Sequence, residues 1–98
     1  MKILALSKRQ PGTTTAELQP HQMTEARQVW QLHKAGVFRE MYFRQDQPGA
    51  VVILECASLE EARKALGTLP MVEAGLLDFD VIPLGPFLPL ENLFAMQV

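Results

Sequence analysis

Two carboxylates near the C-terminal end are spaced as a catalytic pair on a strand would be. Asp78 and Asp80 alternate with the apolar residues Leu77, Phe79 and Val81. Alternation of this kind predicts a strand with one apolar and one polar face. If helices cover the apolar face, the carboxylates point into whatever lies opposite, and a carboxylate in a partly dry cavity can act as a general base. Solvated or ion-paired aspartates are the competing interpretation, since any amphipathic strand shows this alternation.

A second group of reactive side chains lies on the predicted strand over residues 37–44. Tyr42 can donate a proton to an enolate, or it can be an amphipathic interface residue. Glu40 has the same parity as Tyr42, whereas Arg39 has the opposite parity. Only one of these two sets can face a given cavity, and both remain candidates.

The remaining reactive residues point to no further site. His33 lies in the last turn of a predicted helix, where a cation is favoured, but a satisfied core or boundary histidine is the preferred interpretation. His21 is expected to be solvated, and Cys56, at the end of a predicted strand, to be an inert small hydrophobe. Two histidines and one cysteine cannot close a zinc site of thiolates and imidazoles, so we expect no metal.

The elements that must position these residues follow the order strand, helix, strand, strand, helix, strand. Turn signals separate them, and Ser58 followed by Glu61 forms a capping box at the start of the second helix. On the first helix, the spacing predicts a packed sector, which consists of Met23, Ala26, Val29, Trp30 and His33. The predicted strands span residues 3–6, 37–44, 50–56 and 76–84, and the predicted helices start near residues 20 and 58. This order predicts a ferredoxin-like α+β fold, with two helices on one face of a four-stranded antiparallel sheet.

Such a domain leaves the other face of its sheet bare, and the chain has no third layer to cover it. Dimerisation through that face is the natural solution. The segment 85–98 is apolar and interrupted by prolines, and an exposed apolar patch of this kind is unusual. We therefore predict one domain over residues 1–98, with 85–98 as a tail that packs in a homodimer or higher homo-oligomer.

Length, charge and composition exclude several classes of protein. The 98 residues allow one domain, and nine Lys and Arg against eleven Asp and Glu give a net charge of −2, which argues against nucleic acid as a partner. No apolar run approaches the roughly 20 residues that a membrane span needs, nor the roughly 7–15 of a signal peptide. A single cysteine permits no internal disulfide, and we expect a cytoplasmic protein.

The stretch from residue 30 to residue 84 resembles the small muconolactone isomerase family. The residues that carry the resemblance are LHKAGVFR at 32–39, ASLE at 57–60, TLPM at 68–71 and LDFDV at 77–81. The resemblance implies a dimeric α+β barrel and an enzyme that shifts a double bond in a lactone by moving a proton next to a carbonyl. It also matches Arg39 to the family's arginine at the start of the second strand, where a guanidinium can bind a substrate carboxylate; an ion pair is the alternative.

Two functions therefore stand side by side. The first is a cofactor-free isomerase acting on a small organic acid or lactone, with Arg39 as anchor, Asp78 or Asp80 as base and Tyr42 as the weaker candidate for the acid. The second is a non-catalytic dimeric module that binds a small apolar ligand or a protein partner. An oxygenase of the same fold is less favoured, because it would call for more aromatic residues and a placed His or Asn.

Overall fold

The computed structural model describes residues 1–95, which fold into one four-stranded sheet with helices on one of its faces. The strands and the two main helices follow the predicted order, and short additional helices lie between them and after the last strand. The elements are β1 (Lys2–Arg9), α1 (Thr15–Leu18), a 3₁₀ turn (Gln19–His21), α2 (Gln22–Lys34), β2 (Phe38–Phe43), β3 (Ala50–Glu55), α3 (Leu59–Gly67), α4 (Pro70–Glu73), β4 (Leu77–Leu84) and α5 (Pro89–Ala95).

The sheet has the strand order β2-β3-β1-β4, and every neighbouring pair is antiparallel. The two crossovers carry α2 and α3, so both helices lie on the same face. This arrangement confirms the ferredoxin-like α+β prediction. We call the side under the helices the helix face and the uncovered side the open face.

The core lies between the helix face and the helices. Ile3 and Ala5 on β1 pair with Leu54 and Val52 on β3, and all four side chains are at most 4% exposed. Phe38 on β2 is fully buried beside them. Period-two alternation therefore places every second residue of the central strands in the core and the rest on the open face.

A β-bulge at the start of β2 shifts the parity of that strand. Phe38 is opposite Leu54 and Glu40 is opposite Ile53, so the pairing skips Arg39. Because Ile53 belongs to the open face, Glu40 and Tyr42 belong to it too, whereas Met41 lies on the helix face with Phe38. An extra residue in one strand is what produces such a switch.

The packed side of α2 differs from the predicted sector. Val29 does pack against the core, but Met23 and Trp30 are 66% and 56% exposed, and His33 is also exposed. Leu32 packs on the core in their place. Two polar side chains of α2 turn inward instead, because they form hydrogen bonds to residues at the end of α3 and the start of α4. The spacing of apolar residues along α2 does not indicate such bonds.

Glycine ends α2 in a conformation that other residues adopt with difficulty. Gly36 has φ +79°, its N–H donates to the carbonyl of His33, and the N–H of Val37 donates to the carbonyl of Leu32. These two bonds form a Schellman motif, and Leu32 and Val37 both pack against the core beneath it. The motif turns the chain directly into β2.

Capping side chains account for the starts of two helices. Ser58 accepts a hydrogen bond from the N–H of Glu61 at α3, as predicted, although the Glu61 carboxylate reaches the N–H of Ala57. At α1, Thr14 and Glu17 form a complete capping box in the segment between the first predicted strand and the first predicted helix. The same Thr-x-x-Glu spacing was therefore present in the sequence and indicates this extra turn of helix.

The tail continues past β4 away from the rest of the domain. Five of its large apolar side chains are each at least 55% exposed: Phe87, Leu88, Leu90, Leu93 and Phe94. The long dimension of the molecule is 60 Å against 29 and 20 Å for the other two. The last three residues of the predicted tail, 96–98, lie outside the described residues. Across residues 1–95, no helix combines the length and apolar character needed to cross a bilayer.

Candidate functional site

A cleft of about 800 Å³ separates the helix face from α1 and the first half of α2. The sheet forms its floor, with β1, β2, β3 and β4 all contributing residues. Antiparallel order brings to this end of the sheet the end of β1 and the start of β4, together with the hairpin between β2 and β3. A concave site of this volume fits a small organic molecule.

The walls of the cleft are mainly apolar. Val52, Phe38 and Phe79 contribute their helix-face side chains from the floor, and all three are at most 8% exposed. Val29 covers the floor from α2, and Leu69 closes the side next to α4. At the solvent-exposed end of the cleft, Phe43 also contributes to the lining and is 82% exposed. A flat apolar ring bound in the cleft would therefore contact apolar side chains on both of its faces.

Glu25 is the carboxylate of this cleft. It lies on the inner side of α2, is half-buried, and accepts a hydrogen bond of 3.0 Å from the N–H of Met71 at the start of α4. Burial raises the pKa of Glu25, although the Met71 N–H and the nearby His21 each act to lower it. A carboxylate whose pKa is raised by desolvation in an apolar cleft has the character of a general base.

Polar groups gather at the hairpin end of the cleft. Ser7 accepts a 2.7 Å hydrogen bond from the N–H of Ala50. Arg9, two residues further along β1, donates to the hydroxyl of Thr15 at the start of α1. Arg44 completes the group and forms a bidentate pair with Asp46. Ser7 and Arg9 alternate with open-face residues, so both belong to the helix face.

Asp78 and Asp80 lie on the open face, away from the cleft. They are opposite Lys8 and Leu6 in the register, and both are exposed, whereas Phe79 between them is buried on the helix face. Asp80 accepts a 2.7 Å hydrogen bond from Lys8 and thereby raises the pKa of that amine. Asp78 accepts from the N–H of Phe79. Asp78 also lines a small pocket of about 170 Å³ between β4 and α3, whereas Asp80 does not. Their roles as bases stay a prediction.

Arg39 is directed at its own helix. Its Nε donates to the carbonyl of Gly36 at 2.6 Å, which places the positive charge at the C-terminal end of α2. β2 and β4 are the two edges of the sheet, three strand spacings or about 14 Å apart. Within one subunit the structure thus does not bring Arg39 together with Asp78 or Asp80.

Tyr42 belongs to a strand that borders the cleft, but its hydroxyl lies on the open face. It donates a 2.7 Å hydrogen bond to Glu40, which has the same parity. This bond raises the pKa of Tyr42 and makes the phenol a weaker acid. If Tyr42 donates a proton to a ligand, it does so on the open face, where its hydroxyl is bonded to Glu40.

Neither Glu25 nor Arg9 is among the candidate residues that the sequence indicates. A signal for Arg9 was available: once β1 is known to extend beyond Leu6, its parity matches that of the core residues Ile3 and Ala5. For Glu25 there was none, because the inner side of α2 is defined by tertiary contacts.

No group of three metal-ligating side chains converges in the part of the chain that the structure describes. His33 is satisfied locally, since its Nδ1–H donates to the carbonyl of Phe38 at 2.9 Å. Cys56 is buried, and burial raises the pKa of its thiol. A thiol in this state is a weak nucleophile.

Comparison with known proteins supports the fold. No protein-family model matches the chain, and no curated protein matches it. Among solved structures, it is similar to 5-chloro-2-hydroxyhydroquinone dehydrochlorinase (TftG) from Burkholderia phenoliruptrix AC1100, in complex with 2,5-dihydroxybenzoquinone. The match covers 87% of this chain and 94% of that chain, with 20% identity and a TM-score of 0.71. The two proteins share a fold. Similarity at this level does not extend to activity, and membership of the muconolactone isomerase family stays a prediction.

Proposed function

We propose that this protein is a cofactor-free enzyme that moves a proton on a small carbonyl compound bound in the cleft, an isomerase or lyase in reaction class. The observation that carries the proposal is Glu25, a half-buried carboxylate with a raised pKa in the wall of an apolar cleft of about 800 Å³. TftG supports it indirectly, since a protein of this fold is an enzyme solved with a small flat quinone.

Glu25 would perform both halves of the proton transfer. Its ionised carboxylate removes a proton from the carbon next to the carbonyl, and the electron pair moves into an enolate. The resulting carboxylic acid returns the proton at the far end of the conjugated system, so the double bond shifts and the base is regenerated. A raised pKa favours this cycle because it brings the two protonation states of the base closer in free energy.

The experiment is proton exchange on a panel of small lactones and 2-keto acids, followed by NMR in deuterated water. We expect the wild-type protein to accelerate exchange next to the carbonyl, and Glu25→Gln to lose roughly 10²-fold or more, the usual scale for a general base. Gln can still accept from the Met71 N–H, so the fold should be kept. A Glu25→Gln protein that exchanges at the full rate would contradict the assignment.

The predicted open-face residues provide the matched controls. Asp78→Asn and Asp80→Asn remove carboxylates that lie outside the cleft, so both variants should retain the exchange rate. If instead Asp80→Asn abolishes exchange and Glu25→Gln does not, the reaction takes place between two open faces, with Arg39 and Tyr42 as the proposed anchor and acid.

A non-catalytic binding module is the second candidate. The observation in its favour is that Glu25 is already engaged by Met71 and that the walls around it are apolar. Under this proposal, the panel compounds bind saturably but show no accelerated exchange, and Glu25→Gln binds them as well as the wild type does.

We also propose that a second copy covers the open face. Leu4 and Leu6 are opposite Ile53 and Val51, and the four side chains form a half-exposed apolar centre on that face. Light scattering should give the mass of a dimer, and Ile53→Lys should yield a monomer. A wild-type monomer at all accessible concentrations would exclude this assembly. The tail over 85–98 is proposed to pack in the same dimer.

A further inference from the structure

The cleft has three cationic neighbours, and two of them are neutralised within the chain. Lys8 is paired with Asp80, and the Arg44 guanidinium is paired with Asp46 through two hydrogen bonds of 2.7 and 2.9 Å. Arg9 makes no ion pair with any of the described residues, and its Nη2 bonds the neutral hydroxyl of Thr15 at 3.1 Å. Arg9 is exposed, and it is the one cation of the cleft lining that no carboxylate of the described residues pairs with.

The position of Arg9 makes this charge available to a ligand. Arg9 ends β1 on the helix face, and the bond to Thr15 holds the guanidinium against α1, at the mouth of the cleft. A planar guanidinium presents five donors in a fork that matches a carboxylate, and one bond to a hydroxyl leaves most of them free.

Ser7 places a second donor on the same strand face, about 7 Å from Arg9 along β1. Its oxygen accepts from the Ala50 N–H, so the hydroxyl proton is free to be donated to another acceptor. Two donors at one end of the cleft, with apolar walls beyond them, define a ligand with a polar head and an apolar body.

We propose that the ligand of the cleft is a monoanion, a flat organic acid whose carboxylate binds Arg9 and Ser7 while its ring lies on the apolar floor of the cleft. This inference rests on the proposed function and adds the charge and the orientation of the substrate. With its carboxylate held at Arg9, the ligand extends along the floor of the cleft toward Glu25. Arg9 then anchors one end of the ligand, and Glu25 acts as the base at the other end.

The test is calorimetric titration with two probes of the same shape, benzoate and benzamide. Benzoate should bind the wild-type protein at least tenfold more tightly than benzamide, since only benzoate carries the charge. Arg9→Met keeps an unbranched apolar side chain without the charge and should bring the two affinities within about twofold, whereas Arg9→Lys should retain part of the preference. Arg27→Met, on α2 outside the cleft lining, is the matched control and should change neither affinity.

The outcomes separate this inference from the proposed function. Equal binding of both probes to the wild type overturns the anion site but leaves an apolar ligand cleft intact. A preference for benzoate that survives Arg9→Met assigns the anion to another cation and overturns the role of Arg9. Binding of neither probe at millimolar concentration counts against the anion site and the cleft together. Thermal melting of each variant confirms that it is folded.

Discussion

Val51 and Val52 are consecutive in β3 but face opposite sides of the sheet, so shortening each to alanine measures the two faces separately. Val52 is 4% exposed and is opposite Ala5 and Met41 on the helix face. Val51 is half-buried and is opposite Leu6 and Tyr42 on the open face. The two substitutions delete the same atoms from one strand and leave its backbone pairing intact.

The expected losses differ because the burial differs. Val52→Ala removes two buried carbon groups at about 0.8 kcal/mol each and leaves a small cavity, about 2–3 kcal/mol in total. A domain of this length has roughly 5–15 kcal/mol of stability, and each kcal/mol corresponds to about 4–8 °C in Tm, so Tm should fall by about 10–20 °C. In an isolated subunit Val51→Ala should cost under about 1 kcal/mol, because much of its side chain already meets water.

The assay is thermal and urea unfolding at two protein concentrations at least fiftyfold apart. Val52→Ala should lose the same stability at both concentrations. If a second copy covers the open face, Val51→Ala should lose more at the high concentration, where dimers prevail, than at the low one. If both variants lose the same stability and neither loss depends on protein concentration, Val51 and Val52 do not face opposite sides of the sheet. That result would refute the distinction between the helix face and the open face.

Three further predictions concern local features. Gly36→Ala should cost about 1–2 kcal/mol, because its φ of +79° is unfavourable for alanine although its Cβ would have room, and an unchanged Tm would contradict this. Ser58→Ala should cost about 1 kcal/mol by removing the cap of α3, and Ser58→Asp should restore most of it, as urea unfolding can show. The pKa of Glu25 is higher in the folded protein than in the unfolded chain, so ionisation of this carboxyl group destabilises the fold at pH values above its ordinary pKa. Stability should therefore fall from about pH 4.5 upward in the wild type relative to Glu25→Gln, and parallel pH profiles would argue against the burial effect.

The order of the main elements was predictable because each carries its signal locally. Val51, Val52 and Ile53 are β-branched in a row, Ser58 and Glu61 form a cap spacing, and Gly36 ends a helix for a conformational reason. The alternation around Phe79 also correctly separated the buried and exposed sides of β4. Signals of this kind depend on neighbours in sequence, and the fold as a whole follows from their order.

The position of the cleft was not predictable in the same way. The predicted residues assume a cavity over the open face, whereas the cleft lies on the other side of the sheet, between layers that meet only in the folded chain. The bulge at Arg39 also changes the parity of β2, and nothing in the residue pattern marks it. Glu25 turns inward because the Met71 N–H is there to bond it, a contact between residues 46 positions apart.

The two faces of this sheet can serve different purposes, and that separation explains the distribution of charge. On the open face, Asp80 is paired with Lys8 and Glu40 accepts from Tyr42, so its polar groups are satisfied around an apolar centre, as a surface that another protein covers requires. On the helix face, Arg9 lacks a counter-charge among the described residues, and Glu25 is held with a raised pKa. Burial makes the ionised Glu25 carboxylate unfavourable, whereas the exposed Arg9 guanidinium is solvated until an anion replaces the water. A desolvated carboxylate and a cation without a counter-charge in the same cleft are the physical reason to seek the chemistry there.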